Sequence, residues 1–129
     1  MKYLTHYIEE ERIKLFKDFG AFFAFNQEQA DKGIIKGVKY VSLGAGLYCP
    51  KVNVDNLTTG LDKIGEEGRA IDLKENGKEG IIGRELSNFE CYYTGDLTTA
   101  LGVLEPYGFT NKEISKVYSD NYLEMTEDL

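Results

Sequence analysis

The sequence has little of several residue types that catalytic and metal sites require. Its 129 residues include no tryptophan, one histidine, two prolines and two cysteines. Cys49 and Cys91 lie far apart, so the closely spaced Cys and His pairs typical of structural zinc sites do not occur. His6 is the one imidazole, and a nucleophilic pair with Cys49 would require the fold to bring the two together. We therefore expect no metal, no cofactor and no catalytic residue.

Long apolar runs are also missing. The N-terminal segment MKYLTHYIEEERIKLF is charged throughout and contains no apolar signal-peptide core. No apolar run approaches the roughly 20 residues that a membrane-spanning helix needs. These features predict a cytoplasmic protein without membrane contact, in which both thiols are reduced.

The chain has fewer basic than acidic residues. Twenty-two acidic residues outnumber 15 lysines and arginines, which gives a net charge of −7. Direct binding to a nucleic-acid backbone is therefore not expected, although a local basic patch is compatible with this charge. The acidity has two interpretations, solubility and binding to a basic partner surface. The acidic interaction surface would comprise Glu9, Glu10, Glu11, Asp120, Glu124, Glu127 and Asp128.

Hydrophobic patterning predicts one α+β domain over residues 1–129, with an acidic C-terminal tail, 120–129, that frays. We expect four or five helices around a small antiparallel sheet. The almost wholly apolar AFFAF (21–25) is typical of a buried strand. Three or four short strands are predicted over 21–26, 37–43, 46–50 and 90–94.

Helix signals are distributed along the chain. Residues 3–19 have an amphipathic pattern, and Asn26 is a candidate N-cap for a short polar helix. The helical stripe Leu57, Leu61, Ile64 and Ile71 contains glycines that favour a break near 65–68, and Asn76-Gly77 is a stop signal. A second helix is predicted over 78–88. Thr110 to Glu113 has the spacing of a capping box that opens the last helix.

The stretch KYVSLGAGLYCPK (39–51) contains a glycine pair, Gly44 and Gly46. A phosphate-binding loop would need a Gly-Lys-Ser/Thr ending, and a dinucleotide fingerprint would need a third glycine at the start of a helix. Here strand-like residues and Pro50 follow instead. The pattern therefore predicts the tight turn of a β-hairpin.

The densest polar and aromatic cluster is RELSNFECYYTGD (84–96). In a purely structural interpretation, Leu86 and Phe89 belong to the core, while Asp96 caps a helix. In a functional interpretation, the tyrosines and acids form a surface for a ligand or partner, because aromatic residues are enriched in interfaces. The candidate binding residues are Tyr48, Tyr92, Tyr93, Glu85, Asn88 and Asp96.

Three stretches, MKYLTHYIEEE, GVKYVSLGAGLYCPK and RELSNFECYYTGD, give the chain a resemblance to small uncharacterised proteins encoded by bacteriophages and mobile elements. The resemblance transfers no activity and no site residue. It implies a setting in the bacterial cytoplasm, including that of a phage-infected host cell.

Three function hypotheses follow. The first is a non-enzymatic acidic protein that occupies a basic groove on a host nucleic-acid-handling or defence protein, as anti-CRISPR-like inhibitors do. The second is a binder of a nucleotide-like molecule at a homo-oligomer interface, with the tyrosines stacking on a base and Lys39, Lys51 and Arg84 facing phosphate. The third and weakest is a hydrolase that uses Glu85, Glu90 or Asp96.

Overall fold

The computed structural model describes the backbone of residues 1–127 and the side chains of residues 1–122. Within that range the chain forms six α-helices and a three-stranded antiparallel sheet, which confirms the α+β class and places one more helix than predicted. The helices are α1 (Leu4–Phe19), α2 (Gln27–Gly33), α3 (Val54–Asn88), α4 (Cys91–Thr94), α5 (Thr98–Leu104) and α6 (Asn111–Glu127). The strands are β1 (Phe22–Phe23), β2 (Tyr40–Ser42) and β3 (Leu47–Pro50), and short 3-10 turns cover Lys51–Asn53 and Glu105–Tyr107.

The described chain divides into two compact units. The sheet unit, Thr5–Gly68, has a core of Phe16, Ala21, Cys49 and Leu57. The helical unit combines Met1–Leu4 with Arg69–Leu129, and its core is the buried set Ile81, Ile82, Leu86, Cys91, Tyr92, Ala100, Leu104 and Ile114. Leu57 of the predicted stripe and Leu86, predicted to be in the core, belong to these cores. The single domain and the fraying of 120–129 stay predictions, and α6 includes residues 120–127.

Local capping signals are confirmed. Asn26 accepts a hydrogen bond from the backbone N–H of Gln29 at 2.9 Å and opens α2. Thr110 and Glu113 exchange backbone-to-side-chain hydrogen bonds of 3.0 and 3.1 Å, which is a complete capping box at the start of α6. Hydrogen bonds from Lys78 and from the Thr110 amide lower the pKa of Glu113 to about 2. Both caps use contacts three residues apart, so a local pattern suffices to predict them.

The sheet has the strand order β1-β3-β2, with β3 in the centre. Tyr40 to Ser42 pair with Tyr48 to Pro50, and the connecting residues Gly44, Ala45 and Gly46 all have positive φ. The predicted hairpin turn is thus confirmed, because this loop needs the left-handed backbone that glycine adopts readily. At the edge, β1 is only two residues long, much shorter than the predicted strand over 21–26.

The predicted strand over 90–94 is wrong, because Cys91–Thr94 forms the one-turn helix α4. Every described element of the helical unit is helical, so an extended segment there would have no strand to pair with. In α4 the backbone bonds to itself instead: the Gly95 amide donates to the Cys91 carbonyl at 2.9 Å. The β-propensity of Tyr92 and Tyr93 is overridden by this tertiary context.

Helix α3 is interrupted at Gly77, where φ is 73° and ψ is 163°. This confirms the stop signal at Asn76-Gly77, whereas the break predicted near 65–68 is wrong. Gly60 has a packing role that composition does not reveal, because a Cβ there would lie only 2.9 Å from the Leu15 side chain. Ile71, predicted to face inward, is 46% exposed, and its neighbour Asp72 is fully buried.

We expect Gly77→Ala to lower the free energy of unfolding by about 1–3 kcal/mol, because only glycine readily adopts the backbone conformation found there. Gly102 is the matched control. It lies in the exposed interior of α5, and a Cβ at either glycine meets no atom within 4 Å. Gly102→Ala should raise the stability by about 0.5–1 kcal/mol. Urea unfolding followed by circular dichroism measures both, and equal effects of the two substitutions would contradict the prediction.

Candidate functional site

A buried polar network occupies the helical unit. Arg84 binds Asp72 in a two-pronged ion pair, with Nη1–Oδ1 and Nη2–Oδ2 distances of 2.8 and 3.0 Å. Its Nε donates to Glu85 Oε1 at 2.8 Å. Asp72, Arg84 and Glu85 are 0%, 8% and 4% exposed. Charges this deep are tolerated only when they are paired and hydrogen-bonded.

Further donors and acceptors complete the network. The Tyr107 hydroxyl donates to Asp72 Oδ2 at 2.6 Å, and the Asn76 amide donates to Oδ1 at 2.7 Å. Arg84 Nη1 also donates to the Lys2 carbonyl at 2.9 Å, and the Arg84 Cζ lies 5.6 Å from the centre of the Tyr3 ring. Among the described side chains, no buried nitrogen or oxygen atom lacks a hydrogen-bond partner. Each buried polar atom of the network therefore has at least one partner.

The pKa shifts agree with a stable ion pair. Burial alone raises the pKa of Asp72, but hydrogen bonds from Arg84, Tyr107 and Asn76 outweigh it and lower that pKa. Burial, followed by the hydrogen bond to Asp72, raises the pKa of Tyr107. Asp72 is consequently ionised and Tyr107 protonated near neutral pH. Since Asp72 precedes and Arg84 follows the interruption at Gly77, the pair ties the two segments of α3 together.

A cleft of about 470 Å³ adjoins this network. Met1, Tyr3, Arg84, Tyr92 and Asn121 are among the residues that line it. The Tyr92 hydroxyl accepts a hydrogen bond from the Asn121 amide at 3.3 Å, and its ring stacks on Tyr118 with centroids 5.3 Å apart. The Tyr92 hydroxyl and the Asn121 amide already bind each other, so a ligand at these two groups would have to displace an internal contact.

The structure distributes the predicted binding residues among different environments. Tyr48 lies in the sheet unit, where it stacks on Phe22 with centroids 5.6 Å apart. Tyr92 and Glu85 are buried in the helical unit, whereas Tyr93 is 72% exposed and Asn88 is also at the surface. Asp96 is exposed and accepts a hydrogen bond from the Thr98 amide at 2.9 Å, but the N-cap of α5 is Leu97. Arg84, considered as a phosphate ligand, is instead neutralised by Asp72 and Glu85.

The predicted acidic residues are only partly described. Glu9, Glu10 and Glu11 are exposed on α1. Asp120 is exposed and pairs with Lys116 at 2.6 Å. The side chains of Glu124 and Glu127, together with the whole of Asp128, lie outside the described residues.

The two thiols are free and buried. Burial raises the pKa of Cys49 and of Cys91, which favours the unreactive protonated form. His6 is exposed on α1, where its ring lies edge-on to Tyr7 with centroids 5.4 Å apart. Among the side chains of residues 1–122, no three His, Cys, Asp or Glu residues are grouped as metal ligands would be.

An apolar groove in the sheet unit was not predicted. It has a volume of about 490 Å³ and an apolar floor of Ile13, Phe16, Ala21 and Phe23, with Glu9, Arg12 and Lys17 on its rim. Ile13 is 61% exposed and Phe23 is 46% exposed. The Phe16 and Phe23 rings meet edge to face with centroids 5.5 Å apart.

The prediction of AFFAF as a buried strand is therefore wrong for two of its phenylalanines. Phe25 is 74% exposed and stacks on Phe23 with centroids 6.3 Å apart. Because β1 is an edge strand of only two residues, the sheet cannot cover both of its faces. The three phenylalanines in 21–25 were the available signal. Such a cluster is found at exposed interaction surfaces as well as in cores.

One family model covers nearly the whole described chain. The family of unknown function DUF7659 matches residues 4–122. The chain belongs to this family. No curated protein and no solved structure matches this chain.

The DUF7659 match includes residues of both units, and both the polar network and the groove lie mostly or wholly within it. The family description names no bacteriophage or mobile element, so that resemblance stays a prediction. None of the helices within residues 1–127 combines the length and the apolar character needed to pass through a bilayer.

Proposed function

We propose that this member of the DUF7659 family is a non-enzymatic protein-binding module that uses the groove of its sheet unit. The observation that carries the proposal is the exposure of Ile13 and Phe23 in the lining of the groove, with exposed Phe25 stacked on Phe23. Contiguous exposed apolar surface of this kind is typical of interaction sites. A partner would insert an apolar side chain between Ile13, Phe16 and Phe23.

The acidic side of α1 supplies the second half of the proposal. Glu9 lines the groove together with Arg12 and Lys17, and Glu10 and Glu11 are exposed at the next two positions of α1. A partner with basic side chains beside its apolar anchor would be attracted to these three carboxylates, which accelerate encounter more than they add affinity. The buried apolar anchor would then supply most of the binding free energy.

The narrower proposal concerns the kind of partner. A net charge of −7 on a small chain favours proteins with basic grooves, the surfaces that nucleic-acid-handling and defence proteins present to their own substrates. We therefore propose such a host protein, in the bacterial cytoplasm, as the target. Inhibition would follow from occupation of its basic groove.

Affinity purification from a bacterial lysate, followed by mass spectrometry, tests the proposal with three matched baits. Ile13→Asp places a charge on the floor of the groove, while Val103→Asp makes the same kind of change at an aliphatic residue of α5 that is 37% exposed. We expect one partner to be retained by the wild type and by Val103→Asp, and to bind Ile13→Asp at least about tenfold more weakly.

The electrostatic part of the proposal is tested by measuring the association kinetics of the identified partner. Replacing Glu9, Glu10 and Glu11 together with glutamine should slow association severalfold at low salt and remove most of its salt dependence, with little change in dissociation. A partner retained equally by Ile13→Asp, or recovered by none of the baits, would overturn the groove proposal.

A further inference from the structure

The first three residues of the sequence lie against the buried polar network of the helical unit. Arg84 Nη1 donates to the Lys2 carbonyl at 2.9 Å, and the Arg84 Cζ lies 5.6 Å from the centre of the Tyr3 ring. A guanidinium at this distance from an aromatic ring is attracted to its face. We call Met1, Lys2 and Tyr3, which precede the first turn of α1, the arm.

Met1 makes a third contact of the arm with the helical unit. A Cβ built on Gly80 would lie 3.2 Å from the Met1 Cε, so the methionine methyl group lies over the bare backbone of α3 at Gly80. Met1, Tyr3, Gly80 and Arg84 all line the cleft of about 470 Å³. The arm therefore contacts the walls of this cleft with an apolar side chain, a backbone carbonyl and an aromatic ring at three successive residues.

The arm is held at the surface of the unit and not in its core. Met1 is 70% exposed, Tyr3 is 45% exposed, and Lys2 is also exposed. None of these three residues belongs to a helix or a strand. Segments with few buried contacts open at a low free-energy cost while the rest of a protein stays folded. The arm is therefore able to leave the cleft and to return.

Arg84 does not depend on the arm for its ion pairs. Asp72 binds Nη1 and Nη2, and Glu85 binds Nε, whether or not the arm is in place. Departure of the arm removes the Lys2 carbonyl, the acceptor of a further hydrogen bond from Nη1. The freed N–H requires a new acceptor, since a donor left unpaired in a buried group is costly. The backbone carbonyl of another segment is suited to this place, because Lys2 presents the same group.

We propose that the arm is a built-in competitor at a binding site of the helical unit, and that this site receives an extended segment of a partner protein. The segment would place an unbranched apolar side chain over Gly80, a backbone carbonyl on Arg84 Nη1 and an aromatic ring beside the Arg84 guanidinium. The occupant is inferred from the arm, which is the peptide seated there in the structure. The inference goes beyond the proposed function, because it requires nothing of the groove.

Competition by a tethered arm lowers the apparent affinity of the site for any partner. A segment attached to the protein that it binds acts at an effective concentration in the millimolar range when the connection is short. The affinity observed for a second segment is reduced by the fraction of molecules in which the arm is away. Weakening the contacts of the arm should therefore strengthen binding of a separate peptide, whereas an arm with only a structural role would not have this effect.

Titration of the isotope-labelled full chain with the tetrapeptide acetyl-Met-Lys-Tyr-Leu-amide, followed by NMR, tests the proposal. The variant M1S/Y3S, released from a cleavable fusion, removes both arm side chains that contact the helical unit. Gly80→Leu, added to M1S/Y3S, occupies the place of the Met1 methyl group. Y93S is the control, because Tyr93 is 72% exposed and is not among the residues that line the cleft. Circular dichroism verifies that every variant is folded.

We expect M1S/Y3S to bind the tetrapeptide at least about tenfold more tightly than the wild type or Y93S does. The backbone amide signals of Gly80, Gly83 and Arg84 should shift on binding. Addition of Gly80→Leu should weaken binding by about tenfold or more, and so should replacement of the peptide by acetyl-Ser-Lys-Ser-Leu-amide. In the wild type, a nuclear Overhauser effect between the Met1 methyl protons and the Gly80 Hα protons should report the seated arm.

Other outcomes overturn the inference. Equal affinities of M1S/Y3S and the wild type would show that the arm does not compete, and no binding to M1S/Y3S would show that the cleft receives no such segment. Wild-type self-association that M1S/Y3S abolishes would assign the arm to exchange between two copies of this chain. Ile13→Asp distinguishes the two proposals, because it should leave tetrapeptide binding unchanged, whereas M1S/Y3S should leave capture of the groove partner unchanged.

Discussion

Asp72→Ala is expected to lower the free energy of unfolding by about 3–5 kcal/mol. The substitution leaves the buried Arg84 guanidinium without the carboxylate that now accepts two of its hydrogen bonds, at 2.8 and 3.0 Å. It also removes the acceptor for the hydroxyl of Tyr107 and for the amide of Asn76. Glu85 still pairs with Arg84 Nε, so the loss arises from the buried donors left without an acceptor, each of which costs about 1–3 kcal/mol. Urea unfolding near neutral pH measures the loss.

Asp120→Ala is the matched control for this experiment. Asp120 is also a helical aspartate in an ion pair, with Lys116 at 2.6 Å, but both partners are exposed. Water and salt screen such pairs, so no measurable loss is expected. If Asp72→Ala costs no more than Asp120→Ala, the buried network does not stabilise this unit.

The pH dependence provides a second test of the same pair. Because the folded protein lowers the pKa of Asp72, its ionised carboxylate stabilises the fold above the unfolded pKa of about 3.9. That contribution is lost as the pH falls through the folded pKa. The difference in unfolding free energy between the wild type and Asp72→Ala should therefore be constant near neutrality and shrink in acid. A difference that grows in acid would contradict the assigned direction.

Leu57→Ala is expected to lower the free energy of unfolding by about 2–5 kcal/mol. Leu57 is fully buried and packs with Phe16, Ala21 and Cys49 in the core of the sheet unit. Truncation removes apolar contacts and leaves a cavity that its neighbours fill only in part. Chemical denaturation gives the magnitude.

Val52→Ala serves as the control for core truncation. Val52 is 85% exposed, so its truncation should change stability by no more than about 0.5 kcal/mol. Equal losses for Leu57→Ala and Val52→Ala would show that Leu57 does not belong to the core of the sheet unit.

Local features of the fold were predictable because their causes lie within a few residues. The cap at Asn26, the capping box from Thr110 to Glu113 and the turn from Gly44 to Gly46 depend on side chains or backbone angles inside one turn of chain. The prediction of a strand over 90–94 was wrong because the cause of a strand lies in distant residues. A strand depends on a partner strand, and the sequence does not say that the unit around Cys91 contains none.

The candidate surfaces were much less predictable. Glu85 and Arg84 were both singled out, but as surface groups, whereas Asp72 and Tyr107 were missed. Asp72 lies 12 positions from Arg84 and 35 positions from Tyr107 along the chain. Polar residues of these types are usually found at a solvated surface. Phe23 and Phe25 were missed as an exposed surface because apolar runs more often indicate a core.

The sequence by itself determined the α+β class, most helix positions, the hairpin and the net charge, since these depend on composition and on contacts close along the chain. Only the tertiary structure decided that Asp72 is buried against Arg84, that Phe25 is exposed, and that Ile13, Phe16 and Phe23 line one groove. The physical reason is that burial and charge pairing are properties of distant neighbours. A carboxylate, a phenylalanine or a lysine acquires its role from the residues that the fold places around it.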